Sequence, residues 1–320
     1  MRFYLSSAKK EKRLIMNDYE KYQKIDDLPI VTKVVLPEAD AVRKGVIQFV
    51  HGMCEMKERY ERTIDFFVGQ GYICVISDLR GHGENVEFDK DLGYFGDDAV
   101  NLLVEDIHAV NIFIKNNYPD LPITIISHSM GSLIARAFTK KYDDDIDALI
   151  MCGSPSARKL SFLVVCIIEL FTLFKDDHET NSFINKLIVG SYHKKFESEG
   201  IKNSWICSDM GVVEEYNYNS KCGFMFTLNG LLTLCKLQRV VYSKRNWELK
   251  NKRLTVAFLS GTDDPCLVDN EAFEKSVDVM RKVGYRNVTS KLYEGMRHEI
   301  FNEPDYIKVC EDILQILPIA

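Results

Sequence analysis

The chain has 320 residues, 46% hydrophobic and 28% charged, with 41 Lys and Arg against 47 Asp and Glu for a net charge of −6. This is ordinary globular usage, with length for one large domain carrying an insertion. The acidic balance speaks against an electrostatic grip on nucleic acid, which asks for a basic face.

The opening run MRFYLSSAKKEKRLIMNDYEK lacks the apolar core of a secretory leader, and residues 1–29 as a whole have no clear assignment. Their one suggestion of order is a helical pattern over Lys12–Lys24. From there, short β-branched runs alternate with helical patterns. IVTKVVL (30–36), GVIQFV (45–50), YICVIS (72–77), PITIIS (122–127), DALIMC (147–152), LTVAFLS (254–260) and VTSKLY (288–293) read as strands. Several are apolar almost throughout, as strands covered on both faces are. Between them, Val100, Leu103, Val104, Ile107, Val110 and Ile114 make one helical stripe. Phe273, Val277 and Met280 make another, and Ile307, Cys310, Leu314 and Leu317 a third, behind Pro304. Such alternation predicts an α/β fold, a mostly parallel central sheet flanked by helices.

The alternation stops between about Pro155 and Lys250, a stretch rich in Phe, Leu, Tyr, Asn and Lys that reads as a mainly helical insertion. Its apolar run SFLVVCIIELFTLF (161–174) contains Glu169 and is too short to span a bilayer. The nine cysteines show no C-x-x-C and no Cys/His cluster. They read as reduced thiols of a cytoplasmic protein with no metal site.

SHSMGS (127–132) lies between the run PITIIS and a helical stretch, the strand–turn–helix setting of a nucleophile elbow, G-x-S-x-G. Ser127 stands where the first glycine would be. S-x-S-x-G alone arises by chance in about one chain in ten of this length, and Ser129 then reads as a helix N-cap. Context favours the nucleophile. A serine hydroxyl needs a base, and a histidine base needs a carboxylate to fix its tautomer. GTDDP (261–265) ends one strand and offers Asp264, with Asp263 as the alternative. His298 lies in the loop after the last strand. His51, His82, His108, His128, His178 and His193 read as structural or solvated. HGMCE (51–55) turns after the strand GVIQFV, so the backbone N–H of Met53 is placed to meet an oxyanion together with that of Met130.

HGMCEMKERYE, DLRGHGEN, SHSMGS, GTDDP and GMRHEIFNE, in this order and at this approximate spacing, resemble the monoacylglycerol lipase and lysophospholipase branch of the α/β-hydrolase superfamily, also labelled serine aminopeptidase-like. The resemblance runs from about residue 30 to the C-terminus. It implies an α/β-hydrolase core over residues 1–154 and 250–320 and a helical cap over 155–249. FINKLIVGSYHKKF and CGFMFTLNG resemble the cap of bacterial lysophospholipase-like members. Carried over, Ser129 is the nucleophile, His298 the base and Asp264 the acid, its G-x-x-D spacing from Gly261 favouring it over Asp263. The Met53 and Met130 amides form the oxyanion hole, and Gly81, His82 and Gly83 form a structural turn. Asn85 replaces a serine common after that turn.

The function implied is hydrolysis of lipid-like carboxylic esters through an acyl-enzyme, without cofactor or metal. Phe224, Met225, Phe226 and Leu228 are candidates to line an acyl tunnel. Cys54 and Cys266 fall beside the oxyanion turn and the acid, where they crowd the site without a chemical role. Membrane-surface contact through the cap is a weaker reading, since the apolar run lacks a basic polar face. Two other functions stay open. One is an amidase or aminopeptidase, with the acidic runs DDDID (143–147) or FESE (196–199) meeting an amine. The other is a non-catalytic ligand-binding protein on the same fold.

Overall fold

The computed structural model describes residues 22–24, 28–157, 161–172 and 176–320. Eight strands form one sheet: β1 (Tyr22–Lys24), β2 (Thr32–Val35), β3 (Gly45–Val50), β4 (Tyr72–Ser77), β5 (Ile123–His128), β6 (Ala148–Cys152), β7 (Thr255–Gly261) and β8 (Asn287–Tyr293). Their order is β1-β2-β4-β3-β5-β6-β7-β8. The two pairings involving β2 are antiparallel and all others parallel. The seven expected strands are present within a residue or two at most ends. Tyr22–Lys24 is strand β1, not the end of a helix, because it pairs antiparallel with Lys33–Val35. The rest of the expected helix, 12–21, lies outside the described residues.

The central strands are buried along their whole length because helices cover both faces. On one face, Val46 and Val50 of β3 join a core with α2 (Ala99–Asn117), α3 (Met130–Tyr142), α7 (Leu228–Tyr242) and α8 (Asn270–Val283). On the other, Ile47 and Phe49 of the same strand meet α1 (Glu61–Gly69) and α9 (Tyr306–Leu314). This is the two-residue period of a strand buried on both sides. β8, at the sheet edge, alternates exposed and half-buried positions instead. The α9 stripe needs one correction. Ile307 is 40% exposed, because the helix opens at Tyr306 and turns Val309, Cys310 and Ile313 inward.

Between β6 and β7 the chain forms α4 (Ser161–Thr172), α5 (Ser182–Lys194), α6 (Met210–Tyr218) and α7. The apolar run makes α4, which buries Val165 and Ile168 toward α7 and leaves Leu170 exposed. Among the described residues no helix is long and apolar enough to cross a membrane. None of the nine cysteines, all among the described residues, is in a disulfide, and eight of them are buried.

Candidate active site

Parallel pairing fixes where the chemistry-bearing loops go. β3, β5, β7 and β8 run the same way, so the loops after their C-terminal ends emerge at one edge of the sheet, where sites of open α/β sheets lie. Those loops carry Met53, Ser129, Asp264 and His298.

Ser129 sits between β5 and α3 with φ 50° and ψ −120°, a conformation that costs a non-glycine residue of order 1–3 kcal/mol. Its amide donates to Cys152 O at 2.9 Å, and its carbonyl accepts from the Ser132 hydroxyl. Its own hydroxyl makes no N-cap bond, which removes the capping reading. Gly131 packs so closely that a Cβ there would lie 2.3 Å from His51 O. Ser127 is tolerated at the elbow because its hydroxyl donates to Ile150 O of the neighbouring strand at 3.1 Å.

The Ser129 hydroxyl donates to His298 Nε2 at 2.8 Å. His298 Nδ1 donates to the Asp264 carboxylate, 3.0 Å from each oxygen. Asp264 also accepts from the Ser260 hydroxyl at 2.9 Å and the Cys266 amide at 2.8 Å. All three residues are buried. Burial alone would lower the His298 pKa, but the Asp264 charge outweighs it and holds the imidazolium well above 6.5. Burial would raise the Asp264 carboxyl, and His298 with the surrounding donors keeps it below 3.8. Asp263, the alternative acid, points away and pairs with Lys195 at 2.8 Å, both half-exposed.

The amides on either side of Met53 are already engaged. That of Gly52 donates to Glu55 Oε1 and that of Cys54 to His82 Nε2. The described hydrogen bonds give the Met53 amide no acceptor. Met130 opens α3, where an N–H has no partner within the helix. Of the other histidines, His51 accepts from Leu79 N–H, and His128, driven to about 4 by burial and by His298, is neutral beside the His298 ring. Asn85 ties strand to turn, accepting from Val31 N–H and donating to Asp78 O.

Two cavities meet at Ser129. One, about 990 Å³, runs from Ser129 and Met130 past Leu187, Ile188, Leu234 and Ala272. The other, about 160 Å³, is lined by His298 with Asn185, His193, Lys202 and Phe224 among others. Met53, Ser129 and Trp205 line both. Of the expected lining residues, Phe224 and Met225 face the smaller cavity. Phe226 and Leu228 face none of the described cavities. Both are fully buried, Phe226 packing on His82 and Phe95 beneath the site.

Several residues at the site carried no signal that singled them out in the sequence. Trp205 stands over His298, ring centroids 5.0 Å apart. Arg59 makes a two-pronged bond to Glu299, both distances 2.6 Å, and reaches Glu55 at 2.9 Å, binding the turn that carries Met53 to the His298 loop. Arg59, Glu55 and Tyr60 all lie within the quoted run HGMCEMKERYE, where i,i+4 charge spacing (Glu55, Arg59) was the available clue.

With this geometry in view, the chain matches the family described as Serine aminopeptidase, S33, over residues 41–305. The chain belongs to this family. A monoacylglycerol lipase of Mycolicibacterium smegmatis is 24% identical over 292 residues, 89% of this chain and 91% of that one. A thermostable carboxyl esterase from Bacillus coagulans, solved with glycerol, superposes with TM-score 0.83 at 24% identity, covering 92% of this chain and 97% of that one. A soluble variant of monoglyceride lipase from Saccharomyces cerevisiae, solved with a substrate analogue, gives TM-score 0.69 at 20% identity over 92% and 93%. This S33-family chain is therefore an α/β-hydrolase that resembles esterases and monoacylglycerol lipases.

Proposed function

We propose that the protein is a serine esterase that hydrolyses monoesters of lipid-like substrates, monoacylglycerols or lysophospholipids. Ser129 attacks the ester carbonyl as His298 takes its proton, and Asp264 stabilises the imidazolium. The Met53 and Met130 amides receive the oxyanion. The alkoxide leaves with the proton from His298, and water, activated by the same imidazole, frees the acid and restores Ser129. The chemistry calls for no cofactor.

The observation that carries this reading is the 2.8 Å bond from Ser129 to His298 at the head of an apolar cavity of about 990 Å³. An acyl chain fits that cavity and a small alcohol the one of about 160 Å³. The segment 155–249 serves as the cap that closes both. Leu170, Phe183 and Leu187, exposed on α4 and α5, offer an apolar contact to a membrane surface from which such substrates come.

An amine substrate finds no waiting carboxylate among the described lining residues. Glu55 and Glu299 are held by Arg59, Asp269 caps α8 through Ala272 N–H, and Glu271 pairs with Lys275. DDDID lies past the far end of α3, about 20 Å along the helix from Ser129. In FESE, Glu199 is bound to Arg297. A hydrolysis panel tests the reading. Medium- and long-chain monoacylglycerols and lysophospholipids should be cleaved, an aminoacyl-naphthylamide should not, and Ser129→Ala should cleave none. Naphthylamide turnover above that of the esters would replace the esterase reading with an amidase.

A further inference from the structure

We propose that Cys266, His298 and Ser129 form a binding site for a thiophilic divalent cation, with Zn²⁺ the best fit, and that the bound ion reversibly inhibits the enzyme. The inhibition rests on the esterase reading above, whereas the binding does not. Cys266 Sγ lies 4.0 Å from His298 Nε2, the nitrogen to which Ser129 Oγ donates at 2.8 Å. Asp264, Cys266 and His298 are the one group of three or more His, Cys, Asp or Glu side chains among the described residues whose ligand atoms gather this closely, all within 4.8 Å.

The donors suit a soft ion. Zn²⁺ takes sulfur at about 2.3 Å and imidazole nitrogen at about 2.0–2.1 Å, which sets the two about 3.5 Å apart at a tetrahedral angle. The observed 4.0 Å closes to that with a shift of a few tenths of an ångström. Asp264 is best placed outside the coordination shell. Its carboxylate already accepts from His298 Nδ1, Cys266 N–H and the Ser260 hydroxyl. That leaves a carboxylate–histidine pair of the kind that orients metal-ligating imidazoles, with the Nε2 lone pair directed at the site. Cys266 and Ser129 both line the larger cavity, so a hydrated ion can enter and keep a water in its open position. Ca²⁺ and Mg²⁺, which ask for six or more oxygens, find no such set here.

On binding, the Cys266 thiol releases its proton to solvent and the ion occupies the lone pair that would accept the serine proton. The inhibitor therefore competes with the first chemical step, and a chelator reverses it.

Cobalt supplies a readout independent of turnover. The full chain, wild type and the Cys266→Ser, Cys266→Ala and Cys54→Ser variants, is titrated with Co²⁺ while absorbance is followed. Each protein's ester turnover is measured against Zn²⁺ and scaled to its own metal-free rate. Wild type and Cys54→Ser should show a thiolate-to-cobalt charge-transfer band that saturates at equimolar Co²⁺ and is discharged by Zn²⁺. Both Cys266 variants should lack the band, and their half-inhibiting Zn²⁺ concentration should rise at least about tenfold. No band in wild type at millimolar Co²⁺, or an unchanged band in either Cys266 variant, would overturn the proposal. A band in a protein without metal-free esterase activity would sink the esterase reading and leave the metal site standing.

Discussion

At Asp264, one carboxylate sets the proton chemistry of the whole relay. Replacing it with Asn keeps its shape but offers an amide where His298 Nδ1–H needs an acceptor, so the imidazole settles in the wrong tautomer. Asp264→Asn should lower kcat by about 10³–10⁴-fold with the fold intact. The pH dependence follows from the same pair. The proposed mechanism needs neutral His298, whose pKa is held above 6.5 by Asp264 against the opposing pull of burial. The wild-type kcat/KM should therefore fall with acid along a limb above pH 6.5, and in Asp264→Asn, where burial loses its main opponent, the residual activity's limb should move to lower pH. Stability behaves oppositely at the two partners. The raised His298 pKa stabilises the fold fully below pH 6.5 and loses that contribution as pH rises through the folded value. The depressed Asp264 pKa contributes above pH 3.8 and is lost as pH falls through its folded value. Thermal melts of wild type minus Asp264→Asn should thus differ most between about pH 4 and 6.5. The convergence of Ser129, Asp264 and His298 was legible because each follows a strand in a parallel sheet, so sequence order alone sends them to one edge. Trp205 was not legible. It comes from the insertion, and nothing in its neighbours ties it to a loop nearly a hundred residues later.

At the level of elements, the loop before α1 and the loop after β8 are joined by Arg59, itself half-buried, between the buried carboxylates of Glu299 and Glu55. Burial disfavours each charge, and the Arg59 charge is what keeps the Glu299 carboxyl below its usual range. Arg59→Ala leaves two buried carboxylates without their cation. It should cost about 3–5 kcal/mol in denaturant unfolding, and lower kcat by displacing the Met53 amide relative to His298. A stability change under about 1 kcal/mol would place this cluster outside the fold's support. The strands themselves were readable from their β-branched runs. β1 was not, since three polar-rich residues gain strand geometry only by pairing with β2. Phe226 shows the same limit from the other side. An aromatic-rich run such as FMF announces burial but not whether the ring faces a cavity or the core beneath it.

Across the whole molecule, the inserted segment is fastened to the His298 loop. Arg297 binds Glu199 and Ser204 O, the Glu299 amide donates to Ile206 O, and Cys207 Sγ donates to Asn302 O. Trp205 rides on this segment, so the roof over His298 is fixed to the loop that carries His298. Arg297→Ala should raise hydrogen exchange across residues 196–208 and increase KM for long-chain esters more than for p-nitrophenyl acetate, whose acyl group hardly enters the larger cavity. Equal changes for both substrates would separate the clamp from acyl binding. The insertion was legible as helical from the break in strand alternation, but its fastening was not, because it joins Arg297 to a carboxylate 98 residues earlier and otherwise uses backbone carbonyls that no residue pattern displays. The central claim is that Ser129 is the nucleophile, and it is tested most directly by treating the protein with an alkyl fluorophosphonate and mapping the adduct by peptide mass spectrometry. One phosphonyl group on Ser129, with loss of ester turnover in proportion to labelling, is the predicted result; full labelling elsewhere, or turnover that survives complete modification of Ser129, would contradict it.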